Sequence, residues 1–490
     1  MKRLAKLLMP LILIIMTAMI SRQCKTGSGN EHGDYDLVII NGRVMDPESG
    51  LDAVRNIGIK EGTVRVITER NISGRDTINA TGLVVAPGFI DIHQHGQDDE
   101  NYRYKVLDGV TTALELEMGT ADVERWYSER KDKAIINHGV SVGHVKLRME
   151  VMNDPGGFAP VADAVYKPAT DEEILKMKIG IEKGLNEGAL GVGFGLMYSP
   201  ASSKWEILEM FRAAGRTKAP CYVHIRYGGR TEPNSCISAL EEVIAASAVS
   251  GAPLHVVHVT SIGFGLTPAM LQMIKESRSR SLDVTVECYP YTATQTTIES
   301  AVYNEGWQEQ FGIDYEDLQW AETGERLTAE SFAKYRKSGG MVIAHSISED
   351  VVRSTIADSI VIIASDGMID SGKGHPRGAG SFSRVLGKYV REEGVISLME
   401  GLRKITLMPA QRLEGIAPGM KDKGRICAGA DADITIFDPG KIIDRATYSE
   451  PSLSPEGISY VLVNGVLVVS EGLLQEGMHP GKGVRGETTF

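Results

Sequence analysis

Two hydrophobic rhythms alternate along this chain. From about residue 36 to 85, apolar positions recur every second residue in short runs, which predicts strands. Asp36-Leu37-Val38-Ile39-Ile40 and Arg43-Val44 flank Asn41-Gly42, a dipeptide that predicts a tight hairpin. The C-terminal part repeats the style. Ile434 and Ile436 share one face of a short strand, and 460–469 form another hairpin around Asn464-Gly465. Neither end holds enough strands for a sheet of its own, so both are expected to build one small β-sandwich. Between them, apolar runs at 89–93, 111–117, 141–149, 188–196, 221–226, 254–259, 284–289 and 360–365 read as strands. Helical spacing separates several of them, at 171–186, 204–216, 237–250 and 268–277. Strand and helix in alternation predict an α/β fold, a (β/α)8 TIM-like barrel. Residues from about 298 to 337 lose the rhythm and read as an insertion before the last strand. The barrel is expected over 86–422, with the sandwich divided between 36–85 and 423–490.

Composition adds limits. The chain has 490 residues, enough for a large barrel with an appended module. A net charge of −12 without a long basic run speaks against a general nucleic-acid binder. Met1-Lys2-Arg3-Leu4-Ala5-Lys6 precedes an apolar stretch over 7–20, the pattern of a secretory signal, expected over 1–23 and followed by a linker over 24–35. Cys24 stands where a bacterial lipoprotein is lipidated, although Arg22 and Gln23 are not the usual small residues before it. The expected location is exported, periplasmic or anchored to the membrane through Cys24. The five cysteines are scattered and odd in number, which does not indicate a disulfide framework.

In a barrel of this kind the reacting groups sit at the C-terminal ends of the strands. The expected strand ends carry His93, His95, Glu115, Glu117, His224, Arg226, His258, Tyr289 and Asp366. His93 and His95 are two apart on a strand, so both imidazoles project to one side. That is a natural start for a Zn²⁺ or other divalent transition-metal site. Each residue also has a plainer reading: a satisfied strand-end histidine, an ion pair of Glu115 or Glu117 at the barrel mouth, an Asp-Gly turn at Asp366-Gly367. Four of the eleven histidines falling at strand ends favours the metal.

The motifs together resemble metal-dependent amidohydrolases, above all the N-acyl-D-amino-acid deacylases, or D-aminoacylases. They are Pro87-Gly88-Phe89-Ile90-Asp91-Ile92-His93-Gln94-His95, Gly109-Val110-Thr111-Thr112, Gly143-His144 with Leu147-Arg148, and Gly188-Ala189-Leu190-Gly191 through Tyr198. Further along come His224-Ile225-Arg226, His258, Tyr289-Pro290-Tyr291, Ser365-Asp366-Gly367, His375-Pro376-Arg377 and Ala428-Gly429-Ala430-Asp431-Ala432-Asp433. The resemblance spans about 36 to the C-terminus. It implies one or two Zn²⁺ ions, two being favoured, with His93 and His95 holding one and His224 and His258 the other. It implies a catalytic Asp366 that also touches metal and moves the proton, and Tyr289 donating to the oxyanion. It implies Arg377 on the α-carboxylate of a small N-acyl amino acid, with Tyr198 and Arg226 as further substrate contacts.

The chain departs from these relatives in two places. They carry Asn-Cys-Gly with a ligating cysteine, where this chain has Glu117-Met118-Gly119. Methionine is a poor Zn²⁺ ligand, so Glu117 is expected to bridge the metals, with Glu115 second and a carboxylated Lys146 third. Thr260 stands where the family often has lysine, which leaves the substrate's identity open. The implied reaction is hydrolysis of the amide of an N-acyl-D-amino acid. A dipeptidase or cyclic-amide hydrolase on the same scaffold is the alternative enzyme, and a non-catalytic binding protein the alternative from another class.

Overall fold

A computed structural model describes residues 34–487. The basic leader, the apolar stretch after it and Cys24 lie outside the described residues, as do the export and lipidation expectations. The four described cysteines, Cys221, Cys236, Cys288 and Cys427, are buried.

The barrel strands are β1 (Phe89–Asp91), β2 (Val110–Thr120), β3 (Asn137–Gly143), β4 (Val192–Gly195), β5 (Cys221–His224), β6 (Leu254–Val256), β7 (Val284–Cys288) and β8 (Val361–Ile363). They pair in parallel and in chain order. The ring closes just beyond β1 and β8 by backbone bonds. Asp366 N–H donates to His93 O at 2.7 Å and His95 N–H donates to Gly367 O at 2.9 Å. Below that seam, Ser365 donates to Asp91 through N–H at 3.0 Å and Oγ at 2.5 Å. Lys105 Nζ completes the shell of Asp91 at 3.1 Å, both side chains being fully buried. A buried carboxylate needs such partners, because leaving it unpaired in the interior is expensive.

The outer helices follow from local signals. Asp171–Asn186 opens on a Thr170–Glu173 capping box and buries Ile174, Met177, Ile181 and Leu185 at helical spacing. Lys204–Arg216 is capped by Ser203, whose side chain accepts from Glu206 N–H. The expected strand at 141–149 is a correction. The strand is Asn137–Gly143, and His144–Val151 is a helix. The apolar run continues through the junction, so composition hid the change of period. The break falls at Gly143, where a Cβ would lie 2.0 Å from Met118 O.

Both termini build one nine-stranded sheet, joined where Val84–Pro87 pairs antiparallel with Ile434–Phe437. It has its own core, with Ile39, Val44, Ile57, Val85, Ile434 and Leu462 among its buried members. The hairpin at Asn464-Gly465 forms as expected, with φ of 49° and 79°, the positive values a type I′ turn requires. The hairpin expected at Asn41-Gly42 does not form. Tyr35–Asp46 is one strand, and its pairing with Leu51–Lys60 shifts register between Ile39 and Gly42. Asn41, at φ 59°, forms a bulge and donates its N–H to Asn56 Oδ1 at 2.8 Å. Asn-Gly favours positive φ, and here a bulge at Asn41 uses that preference in place of the expected turn.

The insertion begins and ends slightly outside the expected limits. Thr294–Thr297, Leu318–Trp320 and Met341–Ala344 form an antiparallel sheet, with helices Trp307–Phe311 and Ala329–Ser338. It packs its own core on Trp307, Leu318, Trp320 and Val342.

Candidate metal centre

The ends of β1, β2, β5, β6 and β8 converge on one buried cup. His93, His95, Glu117 and Asp366 form one group of donor atoms, and Glu117, His224 and His258 another, each within 4.8 Å of one another. Glu117 belongs to both, and its two oxygens are divided between them. Oε2 lies 2.8 Å from His93 Nε2 and 3.1 Å from His95 Nε2. Oε1 lies 2.9 Å from His224 Nδ1 and 3.9 Å from His258 Nε2. Asp366 Oδ1 stands 3.1 Å from His95 Nε2 and 3.5 Å from His93 Nε2.

Local backbone explains how each ligand arrives. β2 slips register against β3 between Glu115 and Thr120, and the extra residues swing Glu117 into the cup. Gly193 on β4 permits that path, since a Cβ there would lie 2.1 Å from Glu117 O. His258 and Asp366 both occupy the left-handed region, at φ 32° and 53°. Such residues cost of order 1–3 kcal/mol each and persist where surrounding structure over-determines them. Here that structure is the ring-closing seam and the cup itself.

A second layer orients the imidazoles. His93 Nδ1 meets Glu287 Oε1, and the other oxygen of Glu287 lies 3.0 Å from His255 Nε2. His255 Nδ1 in turn meets Thr285 Oγ1 at 2.7 Å. His95 Nδ1 meets Glu115 Oε2 at 2.8 Å, while Glu115 Oε1 accepts from Met118 N–H at 3.0 Å. His258 Nδ1 meets Ser261 Oγ at 2.9 Å. With Nδ1 occupied, the Nε2 atoms of His93, His95 and His258 turn toward the cup, the arrangement a ligating histidine uses. His224 is reversed: Nδ1 faces Glu117, and its buried Nε2 makes no hydrogen bond among the described residues.

Electrostatics points the same way. Burial lowers the proton affinity of His93, yet Glu287, Asp366 and Glu117 overcome it and push the imidazole up to about 10. Burial favours a neutral Glu117, but the imidazoles around it hold its carboxyl well below the usual range. Asp366 is likewise held ionised against burial, by Arg377 and His93 foremost. The cup therefore combines buried anions with imidazoles, and a divalent cation can take the place of the protons between them. Four imidazoles and two carboxylates suit Zn²⁺ and similar ions, so the residues fit the metal the sequence implied.

Arg377 and Tyr289 border the cup. Arg377, at 3% exposure, is no solvated loop residue. Its Nη1 lies 2.9 Å from Asp366 Oδ2, and its Cζ sits 4.6 Å above the Tyr289 ring. Its buried Nε, like the buried hydroxyl of Tyr289, makes no hydrogen bond among the described residues. Tyr198 lines the same cavity but spends its hydroxyl on Thr296 Oγ1 at 2.9 Å.

Three expectations are corrected. Arg226 does not reach the cavity. Its guanidinium forks onto Glu242 at 3.0 and 2.7 Å and onto Pro200 O at 3.0 Å, bracing the barrel wall. Lys146 gives its ammonium to Gly157 O and Phe158 O at 3.0 and 2.8 Å, so backbone carbonyls hold its nitrogen. Glu115 supports His95 from behind and stands outside both donor groups. Met118 points into a small apolar cluster with Val145, Met149 and Tyr198. Glu287 and His255 were missed. Glu287 sits in the strand Val284-Thr285-Val286-Glu287-Cys288, and a carboxylate inside an otherwise largely apolar strand run was the available signal.

The amidohydrolase family model matches residues 146–469. The N-acyl-D-glutamate deacylase of Alcaligenes xylosoxydans xylosoxydans is 28% identical over 88% of this chain and 93% of its own length. The D-aminoacylase of the same organism is 28% identical over 93% and 98%. Among solved structures, the N-acyl-D-glutamate deacylase of Bordetella bronchiseptica, complexed with zinc and a phosphonate mimic of the tetrahedral intermediate, matches with a TM-score of 0.79 and 26% identity, over 92% of this chain and all (100%) of that one. With a family model covering well over half its length and the donor cup at its barrel mouth, this chain belongs to the amidohydrolase family.

Proposed function

We propose that this protein hydrolyses the amide bond of N-acyl-D-amino acids, releasing a carboxylic acid and a D-amino acid, at a centre of two Zn²⁺ ions. The observation that carries the reading is Glu117, whose two oxygens serve two ligand groups beside an Asp366–Arg377 pair. His93, His95 and Asp366 would hold one ion, His224 and His258 the other, with Glu117 between them. Bound there, the metal supplies Lewis-acid polarisation of the carbonyl and lowers the pKa of water. Asp366, kept ionised, accepts the proton of the attacking water and passes it to the nitrogen as the C–N bond breaks. The free hydroxyl of Tyr289 donates to the carbonyl oxygen as that oxygen gains charge. Arg377 offers its unpartnered Nε to the α-carboxylate and fixes the substrate's direction. The D-configuration rests on the relatives.

Metal analysis of the purified protein, combined with turnover of matched N-acyl-D- and N-acyl-L-amino acids, dipeptides and cyclic amides, tests the reading. Metal-dependent release of D-amino acids is expected. Turnover confined to L-substrates, dipeptides or cyclic amides would overturn it. Export is part of the same proposal, on the basic leader and the apolar stretch at 7–20, and recovery of the protein from the cytosolic fraction alone would refute it.

A further inference from the structure

Lys146 stands beside the metal cup without joining it. It belongs to the helix His144–Val151, and its ammonium donates to the carbonyls of two consecutive loop residues, Gly157 at 3.0 Å and Phe158 at 2.8 Å. That loop is tied down a second time. Asp154 accepts backbone N–H groups from Gly156 and Val161 at 3.0 Å each, from Ala162 at 2.8 Å and from Ala164 at 3.2 Å. Gly156 makes the tight path possible, since a Cβ there would lie 2.2 Å from Ala159 O. Held at both points, the loop sets the Phe158 ring edge-to-face on the His95 imidazole, with centroids 5.0 Å apart, and on the Tyr198 ring at 6.3 Å. The ring forms part of the cavity wall, together with His95 and Glu117.

We propose that Phe158 seals the His95 side of the metal cup and that Lys146 is the positioning residue that pins it there. The inference rests on the metal-centre reading and extends it to a residue that holds no ion. A phenyl ring gives a cation no donor atom, but it keeps water from the imidazole it covers. With that water excluded, the attraction between the anionic cup and a cation acts at a lower effective dielectric. A loop without such ties opens locally at little cost, and the rim of the cup would open with it. Lys146 prevents this through main-chain carbonyls, so it fixes where the side chain at 158 stands, and the phenyl group supplies the cover.

The test uses the zinc-loaded full chain with Phe158→Ala, with Lys146→Met, which keeps the stem and removes the ammonium, with both together, and with Lys146→Arg. Zinc release to an excess of chromogenic chelator is followed by absorbance, and kcat and KM are measured on N-acetyl-D-methionine. Each single variant should release zinc ~10-fold faster and lose ~10-fold in kcat, with KM held within ~3-fold. The double variant should match the worse single one, because the lysine acts through the ring. Lys146→Arg, which keeps donors for both carbonyls, should stay within ~3-fold of the parent in both readouts. Should Phe158→Ala fold poorly, Phe158→Leu takes its place, with changes in the same direction. Zinc release and turnover unchanged in either single variant would overturn the inference, as would losses that multiply in the double variant. Zinc release is read without substrate, so failure to hydrolyse any N-acyl-D-amino acid would refute the deacylase reading and leave this inference to be decided by the chelator.

Discussion

Glu117 shows what a single residue can reveal and what it conceals. Methionine beside it is a poor Zn²⁺ ligand, which points to a neighbouring carboxylate, and alternation puts Glu115 and Glu117 on the same side. Choosing between them required the register slip of β2, which carries Glu117 between the imidazoles and leaves Glu115 behind His95. Glu117→Ala is expected to lower bound zinc to at most one ion per chain and turnover by ~100-fold or more, read by elemental analysis and initial rates. Full metal content with full turnover would remove Glu117 from the centre. Glu287 is a positioning residue for His93. Glu287→Gln should weaken zinc binding ~10–100-fold in chelator competition, with the fold kept. Unchanged affinity would reduce Glu287 to a packing role.

Secondary structure was legible wherever one period ran unbroken between clear caps. Asp171–Asn186 and Lys204–Arg216 form as expected because cap, spacing and burial agree. Where one apolar run serves two elements, as at β3 and the helix His144–Val151, composition carries no boundary. The seam between β1 and β8 was also hidden, since Asp91, Lys105 and Ser365 lie far apart in sequence and meet only when the ring closes. Removing one member of a buried ion pair usually costs about 3–5 kcal/mol because the other charge stays behind, so Lys105→Met should destabilise the fold by about that much. Urea unfolding measures it. A loss below about 1 kcal/mol would show that the donors of Ser365 and His93 N–H suffice for Asp91.

At the scale of the whole molecule, the termini close onto the barrel through buried contacts that respond to pH. His138, on β3, packs among Tyr102, Trp126 and Tyr127 and bridges to Gly483 of the C-terminal segment. Burial pulls its imidazole down to about 4. An unfolded histidine near 6.5 binds a proton that the folded one refuses, so stability is present above that value and lost as pH falls toward 4. Acidification from pH 7 to 5 should cost about 2 kcal/mol through His138, and His138→Gln should flatten that part of the profile. An unaltered profile in the variant would assign the acid sensitivity to other groups.

Sequence by itself determined the barrel, the pairing of His93 with His95, and the four-histidine set. Strand and helix periods are local, and the rule that reacting groups crowd the strand ends needs no coordinates. Only the tertiary structure decided the rest: that Glu117 divides its oxygens between two groups, that Arg226 braces a wall, and that Glu287 stands behind His93. Those facts depend on register slips and on side chains from distant strands competing for the same buried space. Burial then makes every partner count, because a charge inside the barrel must be paired with whatever the closed ring brings beside it.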